Sequence, residues 1–210
     1  MFTGIVQEKC KITDLTPKKD FLSYAVEFDQ PLLEDLQQGA SVAIDGVCQT
    51  VRQIDNNKIW FDAMAETLQK TTLTQLQKGD LVNVERSTKI GQENGGHEVS
   101  GHVDGVLEVV AIDQTDNNLA FTFKVPEIYL KYIFNKGFLS IQGASLTVSN
   151  LDKTERTFQV FLIPETLRLT NLGIKNVGDK LNFEIDRRTQ AIVDTVITYL
   201  SENQTHKTQQ

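Results

Sequence analysis

Short runs of alternating apolar and polar residues dominate the chain and predict β-strands. The runs SVAIDGVCQTVRQI, KIWFDAM, LVNVERS, LAFTFKV, FLSIQGASLTVSNL and FQVFLI are rich in Val, Ile, Phe and Thr, and turn-forming residues separate them. Several short strands at this spacing predict small antiparallel barrels or sandwiches. Two short helices are expected between the strands: one from Pro31 to just before Gly39, the other from Pro126 to just before Gly137.

Four blocks of sequence occur twice, in the same order. The pairs are TGIV and SGHV (3–6 and 100–103), IDGVCQTV and IQGASLTV (44–51 and 141–148), AETL and PETL (65–68 and 164–167), and GDLVNVE and GDKLNFE (79–85 and 178–184). The first two pairs are offset by 97 residues and the last two by 99. Such a duplication predicts two tandem domains, each with its own core.

The duplication sets the expected domain limits. We expect a first barrel with its linker over residues 1–96, a second barrel over 97–188, a helix over 189–203 and a frayed polar tail over 204–210, in which His206 is uninformative. In the helix, one apolar stripe is formed by Ile192, Val193, Val196, Ile197 and Leu200. This stripe must pack on its own domain or meet other subunits.

Composition and charge exclude several classes of partner. The net charge of −7 and the absence of a Lys/Arg run argue against DNA, RNA and anionic membranes. The N-terminal sequence does not resemble a signal peptide, and no stretch approaches the roughly 18 apolar residues of a membrane span, so a cytoplasmic protein is expected. Cys10 and Cys48 are too few for a structural zinc site and are expected to be reduced thiols.

The stretch GGHEVSGHVDG holds His97 and His102, two of the three histidines. A metal site is not expected, because HEVSGH has one residue too many for the zinc-protease motif and an odd spacing on a strand points side chains to opposite faces. Phosphate-binding glycine spacings are also missing. On composition alone, an interdomain turn and a structural histidine are favoured.

The repeat changes that balance. His102 aligns with Ile5, so the second copy carries an imidazole where the first is apolar, and such asymmetry favours a specialised role. Cys48 and Thr50 align with Ser145 and Thr147, which places two small polar groups on one strand face of each copy. These groups are either ordinary strand residues or the lining of a pocket for a polar heterocycle.

The ETL blocks leave two alternatives of equal weight. Glu66 with Thr67, and Glu165 with Thr166, either offer a carboxylate and backbone donors to a ligand or cap short helices.

On these residues the sequence resembles the riboflavin synthase family, which is built from two lumazine-binding repeats. The resemblance rests on MFTGIV, GGHEVSGHVDG, the pair GVCQTV and GASLTV, and IPETL followed by EID, and it extends over residues 1 to about 200. It implies an all-β fold of two tandem six-stranded antiparallel Greek-key barrels plus a C-terminal α-helix that assembles a homotrimer.

The resemblance also implies a reaction, the dismutation of two 6,7-dimethyl-8-ribityllumazine molecules. One molecule donates a four-carbon unit to the other, giving riboflavin and 5-amino-6-(D-ribitylamino)uracil without a metal or cofactor. A duplicated domain suits this chemistry because it supplies two related pockets that hold two rings in register. The N-terminal barrel of one subunit is expected to face the C-terminal barrel of its neighbour. An association with lumazine synthase is a further partnership that the resemblance allows.

Position by position, the resemblance implies two pockets and a small catalytic set. The first pocket is lined by Gly4, Ile5, Val6, Cys48, Gln49, Thr50, Asp62, Ala63, Met64, Ala65, Glu66 and Thr67, with Phe2 and Ser41 nearby. The second is lined by Gly101, His102, Val103, Lys136, Ser145, Leu146, Thr147, Phe161, Leu162, Ile163, Pro164, Glu165 and Thr166. Catalysis or its close support is assigned to His102, Thr147, Ser145, Cys48, Ser41 and Asp186.

Individual roles follow from the same resemblance. His102 and Thr147 are expected to transfer a proton at the ring methyl group, for which an imidazole is a suitable group. Cys48 and Ser41 are expected at the opposing ring. The sequence departs from the family at Gln142, where an acidic residue is common, and at Gln49, where a more apolar one is common. These departures leave open any pocket-edge or turn role for the two glutamines.

Two other functions compete with the synthase. A non-catalytic lumazine- or flavin-binding protein, like the optical antenna proteins of luminous bacteria, would retain the fold but lose part of the second-repeat pocket. SGHVDG, GASLTV and IPETL are all present here, which favours turnover. A purely structural two-barrel module would bind no heterocycle.

Overall fold

The computed structural model describes residues 1–114 and 118–207. The chain forms two antiparallel β-sheets, each curled into a barrel, followed by a C-terminal helix. This architecture confirms the all-β tandem-barrel prediction.

The first barrel is built from seven strand segments. They are β1 (Glu8–Lys18), β2 (Phe21–Glu27), β3 (Ser41–Ile44), β4 (Val47–Thr50), β5 (Gln53–Asp55), β6 (Lys58–Met64) and β7 (Leu81–Arg86). Their order in the sheet is β4-β3-β7-β1-β2-β6-β5. The two ends of this order are consecutive in the chain: Val51 N donates to Ala40 O on one side and Arg52 N to Trp60 O on the other. One bent strand therefore closes the sheet, and the seven segments fill the six predicted strand positions.

The second barrel repeats this topology. Its strands are β8 (Gly105–Gln114), β9 (Leu119–Lys124), β10 (Phe138–Ile141), β11 (Ala144–Thr147), β12 (Ser149–Asp152), β13 (Thr157–Leu162) and β14 (Lys180–Ile185). The order β11-β10-β14-β8-β9-β13-β12 matches the first sheet strand for strand. In each barrel the last strand returns to lie between the first strand and the third, as in a Greek key.

Alternation along the strands places one face of each sheet in a barrel core. In β6, Ile59, Phe61 and Ala63 are buried, whereas Trp60 and Asp62 between them are half-buried on the outer face. Burial of a large apolar side chain such as Phe61 stabilises the fold by about 1.5–3 kcal/mol. The period of two seen in the sequence thus decides which side chains remain available to a ligand.

Short helices join the strands at the expected places. α1 (Gln30–Leu33) and a 3₁₀ helix (Glu127–Tyr132) are shorter than predicted, and α2 (Ala65–Lys70) and α3 (Pro164–Leu169) each lead into a 3₁₀ turn. Those turns span Thr72–Gln75 and Asn171–Ile174. None of the helices described here is long and apolar enough to cross a membrane.

The C-terminal helix α4 (Arg187–Lys207) is longer than the predicted 189–203. It begins earlier because Asp186 Oδ2 accepts hydrogen bonds from Thr189 N at 3.2 Å and Thr189 Oγ1 at 2.7 Å, which caps the helix. It continues because no Gly or Pro follows Leu200 to end it. The predicted frayed tail is therefore helical up to Lys207, and residues 208–210 lie outside the described part of the chain.

The two barrels exchange their connecting segments. Val6 belongs to the core of the second barrel, and Val103 packs against the core of the first. Between them, Phe2 N donates to Val99 O at 2.8 Å and Val99 N donates back to Phe2 O at 3.0 Å. Each barrel is therefore completed by residues from the other repeat.

A buried polar cluster with pseudo-twofold symmetry joins the barrels. Asp45 Oδ1 accepts from Asn83 N and, at the equivalent position, Gln142 Oε1 accepts from Asn182 N, both at 2.8 Å. Asn83 Nδ2 donates across to Gln142 O at 2.8 Å, and Asn182 Nδ2 donates to Asp45 O at 2.9 Å. Asn171 Nδ2 also donates to Asp45 Oδ1 at 3.0 Å. The role left open for Gln142 is thus a contact between the barrels. The acidic residue of the pair is Asp45, the aligned residue in the first repeat.

The buried carboxyl of Asp45 makes stability depend on pH. Burial raises the pKa of Asp45 from 3.8 to about 6, against the opposing effect of its hydrogen bonds. Between these two values the folded chain keeps a proton that the unfolded chain has released, so stability falls as pH rises from about 4 to 6. The free energy of unfolding of Asp45→Asn, compared with that of the wild type at the same pH, is expected to increase by about 1–2 kcal/mol as pH rises from about 5 to about 7.5. Urea unfolding of both proteins across this range measures the difference. Parallel pH profiles of the two proteins would refute this.

Candidate functional site

The TGI loop of the first repeat lies on the second barrel. Its backbone turns at Gly4, whose φ of +73° favours glycine. The buried Glu85 carboxylate accepts hydrogen bonds from Thr3 N and Thr3 Oγ1 at 2.7 Å and from Gly4 N at 3.1 Å. The Gly4 carbonyl then accepts from Ser145 N at 2.7 Å. A glutamate at the end of β7 thus holds this loop against β11 of the other barrel.

The SGH loop of the second repeat makes the reciprocal contact. Glu184 accepts hydrogen bonds from Ser100 N at 2.8 Å, Ser100 Oγ at 2.7 Å and Gly101 N at 2.8 Å. Gly101, with a φ of +80°, offers its carbonyl to Cys48 N at 2.8 Å. His102, the next residue, is exposed to solvent. This loop therefore carries His102 onto the first barrel.

These contacts correct the predicted grouping of the pocket residues. The prediction joined residues 4–6 to 48–50 and residues 101–103 to 145–147, each within one repeat. The structure instead joins 4–6 to Ser145 and 101–103 to Cys48. Both barrels present the same strand amide to the incoming loop, so nothing in the local sequence distinguishes the two arrangements.

The second half-site comprises residues 3–5 with His97, Phe138, Ser145 and Thr147. His97 Nδ1 lies 2.6 Å from Ser145 Oγ. The imidazole stacks on the Phe138 ring with a centroid distance of 5.6 Å and an interplanar angle of 17°. Thr147 is exposed and faces Phe138 across the β10–β11 pair. Sequence reasoning gave His97 no role in the site, because its contacts with β10 and β11 are tertiary.

Electrostatics keep His97 neutral near neutral pH. Burial lowers the pKa of His97, and the nearby Asp186 carboxylate only partly opposes this. Burial would raise the pKa of Asp186, but hydrogen bonds from Thr189 and Arg188 outweigh it and hold that pKa below its ordinary value. Asp186 therefore stays ionised beside an uncharged imidazole. Asp186 thus acts on His97 through its charge, and its role in supporting catalysis stays a prediction.

The first half-site comprises residues 100–102 with Ser41, Cys48 and Thr50. Ser41 pairs with Thr50 across β3 and β4, and Ala43 pairs with Cys48. Ser41 and Cys48 are half-buried, and Thr50 is exposed. Beneath them, Phe2 is 1% exposed and packs with Ala43 and Cys48. Phe2 thus supports this half-site from below.

The two ETL segments form the first turns of α2 and α3. Glu66 bonds to Lys70 Nζ at 2.9 Å, and Glu165 pairs with Arg168 at 2.6 Å. These partners lower the pKa of each glutamate. Neither helix has a side-chain N-cap bond. Both carboxylates are therefore first-turn residues satisfied by their own helix, which differs from the capping role considered from sequence.

The remaining predicted site residues divide by burial. Val6, Gln49, Ala63, Leu146 and Leu162 are buried, so their side chains face the cores and only their backbones are available to a ligand. Lys136 is exposed in the turn before β10, with a φ of +67°. Asp62 is half-buried beside Arg52, at 3.3 Å. Sequence reasoning missed Glu85 and Glu184, although their recurrence in the GDLVNVE and GDKLNFE blocks marked them.

Several large apolar side chains of the second half-site and of the predicted pocket segments remain uncovered. Phe138 and Phe161 are each 49% exposed, Ile163 is 58% exposed and Met64 is 70% exposed. A cavity of about 470 Å³ lies elsewhere, between the β1–β2 hairpin and α2, and takes in only Ala65 of the predicted site. Because the reactive side chains lie outside that cavity, the half-sites and not the cavity are the candidate site.

The fold and its reciprocal loops define a class of protein, a tandem barrel with two related but unequal half-sites. The family model described as "Lumazine binding domain" matches residues 3–87 and 100–186. A riboflavin synthase of Escherichia coli (strain K12) is 48% identical over 93% of this chain and 92% of its own length. One of Chlamydia pneumoniae is 40% identical over 93% and 95%.

Solved structures agree with these relatives. LumP complexed with riboflavin superposes with a TM-score of 0.83 at 25% identity, covering 89% of this chain and all of that one. LumP complexed with 6,7-dimethyl-8-(1'-D-ribityl) lumazine gives a TM-score of 0.79 at 25% identity, over 88% and 98%. The chain belongs to the riboflavin synthase family.

Proposed function

We propose that the protein catalyses the dismutation of two 6,7-dimethyl-8-ribityllumazine molecules to riboflavin and 5-amino-6-(D-ribitylamino)uracil. The observation that carries this proposal is the reciprocal loop exchange, in which the Gly4 carbonyl binds Ser145 N and the Gly101 carbonyl binds Cys48 N at 2.7 and 2.8 Å. It gives each chain two related half-sites, as a reaction between two copies of one molecule requires. The identity of 48% with a riboflavin synthase over most of both chains supports the same reaction.

The two half-sites offer different chemistry to the two rings. In the second, Ser145 Oγ and the neutral His97 form a hydrogen-bonding pair suited to a polar ring edge, and Phe138 offers an apolar face. In the first, Cys48 and Ser41 offer small polar groups, and His102 supplies an exposed imidazole. We assign His102 of the first half-site, and Thr147 from the second half-site of the neighbouring subunit that would close it, to proton transfer at the ring methyl group. The four-carbon unit that leaves one lumazine then completes the third ring of riboflavin on the other.

We further propose a homotrimer in which the barrels of neighbouring subunits close each other's half-sites. The exposed aromatic and apolar side chains Phe138, Phe161 and Met64 support this, because a covering barrel would remove them from water. On α4, Val193 packs against the second barrel core, whereas Ile192, Val196, Ile197 and Leu200 are 64%, 50%, 45% and 54% exposed. The predicted stripe therefore serves both its own domain and, in our proposal, its neighbours.

The assembly role of α4 is testable with one substitution. Val196→Asp is expected to shift the protein from trimer to monomer and to lower activity, because it places a carboxylate in an apolar interface. Thr195→Asp, on an adjacent exposed position, is the matched control and should leave the trimer intact. Sedimentation velocity measures both. A stable Val196→Asp trimer would show that another surface holds the subunits together.

Location and further partners belong to the same proposal. A cytoplasmic location is supported by Cys10 and Cys48, which are both free thiols as in proteins of reducing compartments. Burial raises the pKa of Cys10, so that thiol is inert. An association with lumazine synthase stays a prediction.

The reaction itself is tested with the purified protein and 6,7-dimethyl-8-ribityllumazine. The absorbance and green fluorescence of riboflavin are expected to develop with turnover. Saturable lumazine binding without riboflavin would favour the second candidate, a non-catalytic antenna-type protein. That candidate is supported by the likeness to LumP, at 25% identity. Failure to bind lumazine at all would leave only a structural module.

A further inference from the structure

The exchanged loops TGIVQ (residues 3–7) and SGHVD (residues 100–104) are held alike over their first residues. They differ at the fifth, which is Gln7 in the first repeat and Asp104 in the second. In the first repeat, Gln7 Oε1 accepts a hydrogen bond from Arg86 N at 2.8 Å. In the second, Asp104 Oδ2 accepts from Ile185 N at the same distance. An amide would suffice for this contact in either repeat. The carboxylate of Asp104 adds a second oxygen and a negative charge beside the loop that carries His102.

Arg187 binds the second oxygen of the Asp104 carboxylate and pairs with its negative charge. Its Nη1 donates to Asp104 Oδ1 at 2.9 Å and to Gln190 Oε1 at 2.6 Å. Its Nη2 donates to the backbone carbonyl of His102. Its Nε lies 3.9 Å from the Glu184 carboxylate, which accepts hydrogen bonds from Ser100 and Gly101 of the same loop. One guanidinium thus bridges the main chain of His102, a side chain two residues later and the first turn of α4.

The first repeat has no such arrangement. The residue aligned with Arg187 is Thr88, which is uncharged and whose N donates to Met1 O at 3.0 Å. The guanidinium of Arg86 points elsewhere, to the carbonyls of Leu32 and Glu34. The loop with Ile5 is therefore held by Glu85 and Gln7, whereas the loop with His102 gains an ionic bridge. This difference coincides with the position where the two repeats differ chemically.

The bridge is sheltered enough to fix geometry. The Asp104 side chain is 14% exposed and that of Arg187 37%. A charge-assisted hydrogen bond such as that from Arg187 to Asp104 is shorter and stronger than a neutral one. The neighbouring pair Arg188–Glu98 is 77% and 40% exposed, and pairs of that kind contribute little.

We propose that Arg187 and Asp104 are positioning residues that fix the His102 loop to the first turn of α4. The bridge holds the main chain at His102, so the imidazole is presented at one place, and the seating of the C-terminal helix becomes coupled to turnover. The inference rests on the proposed function, in which His102 transfers a proton. Misplacing a reacting group by about 1 Å can cost about 100-fold in rate, which sets the scale of the expected effect.

The first test compares Arg187→Gln with Arg188→Gln. Arg187→Gln is expected to lower kcat at least about tenfold, with KM for 6,7-dimethyl-8-ribityllumazine within about twofold and the oligomeric state unchanged. Arg188→Gln removes the adjacent charge without touching the loop carbonyl and should match the wild type. Equal kcat for both variants would overturn the proposal. An increase in KM with unchanged kcat would also do so, because it would indicate a contact to bound substrate.

A double-mutant cycle tests whether the pair acts as a unit. Asp104→Asn keeps an acceptor for Ile185 N but removes the charge, so the fold is retained in a second variant. The double variant Asp104→Asn/Arg187→Gln is expected to be no slower than the slower single variant. If the losses in kcat of the two single variants multiply in the double variant, the two residues act independently. That result would refute the proposal that they act as a unit.

Hydrogen exchange separates this inference from the proposed reaction. His102 N donates to Ser100 Oγ at 3.3 Å, so its exchange reports loop opening. Exchange over residues 100–104 should accelerate in Arg187→Gln and not in Arg188→Gln. If the wild type makes no riboflavin, the proposed function fails while faster exchange would still support the bridge. If the wild type is active and exchange is the same in both variants, the proposed positioning role of Arg187 and Asp104 is refuted while the proposed function is retained.

Discussion

Replacing His102 by glutamine is expected to lower kcat by about 100-fold or more, within the range that removal of a general acid–base group produces. Lumazine affinity should change by less than about threefold. The structural reason is that, within residues 1–114 and 118–207, the hydrogen bonds of His102 are made by its main chain: its amide donates to Ser100 Oγ and its carbonyl accepts from Arg187. The side chain is exposed, so the substitution removes the imidazole and leaves the loop in place.

Ile5→Gln is the matched comparison for His102→Gln. Ile5 occupies the aligned position, is 45% exposed, and its amide makes the equivalent bond to Thr3 Oγ1 at 3.2 Å. A change there is expected to weaken lumazine binding more than it lowers kcat. Steady-state kinetics and fluorescence titration of both variants measure the difference. Turnover by His102→Gln within about twofold of the wild type would remove His102 from the mechanism.

Substituting Gly101 by alanine is expected to disrupt the first half-site as a whole. A Cβ at Gly101 would lie 2.6 Å from Cys48 Cβ, 2.9 Å from Cys48 N and 3.0 Å from the Phe2 ring. Such contacts force the loop away from β4, and the left-handed φ of +80° adds strain. The stability loss should reach about 2–5 kcal/mol, with activity falling below detection because Cys48 and His102 separate.

Gly91→Ala isolates the backbone contribution to that loss. Gly91 has a φ of +86°, close to that of Gly101, but a Cβ there meets no atom within 4 Å. The stability of the Gly91→Ala variant should be only about 1–2 kcal/mol below that of the wild type, and turnover should be retained. Thermal unfolding and riboflavin formation measured on both variants provide the comparison. Similar losses in the two would mean that the loop tolerates displacement from Cys48.

Much of the fold follows from local sequence, and much of the site does not. Strand alternation and the four recurring blocks predict two barrels, because both signals depend on residues close in the chain. The exchange of the loops cannot be predicted this way. TGIV and SGHV carry the same local pattern whichever barrel they pack on, and the choice between Ser145 and Cys48 as partner is made by contacts across the whole chain.

The site residues show the same limit. Cys48, Ser145 and His102 stand out in the sequence as small polar or titratable groups at aligned positions. The structure places Cys48 and Ser145 beside an exchanged loop and His102 on one. His97 joins Ser145 only through tertiary packing on Phe138. The helix α4 shows the converse case, since its start depends on Asp186 as a cap and its continuation past residue 203 on the absence of Gly or Pro there.

The stoichiometry of the reaction tests the central claim most directly. Purified protein incubated with 6,7-dimethyl-8-ribityllumazine alone should consume two lumazine molecules for each riboflavin formed, and release one 5-amino-6-(D-ribitylamino)uracil with it. Chromatography of the reaction mixture quantifies all three compounds at several times. Two reciprocal half-sites predict this ratio throughout the reaction. Lumazine that is bound but not consumed, or riboflavin formed without the uracil product, would contradict the account.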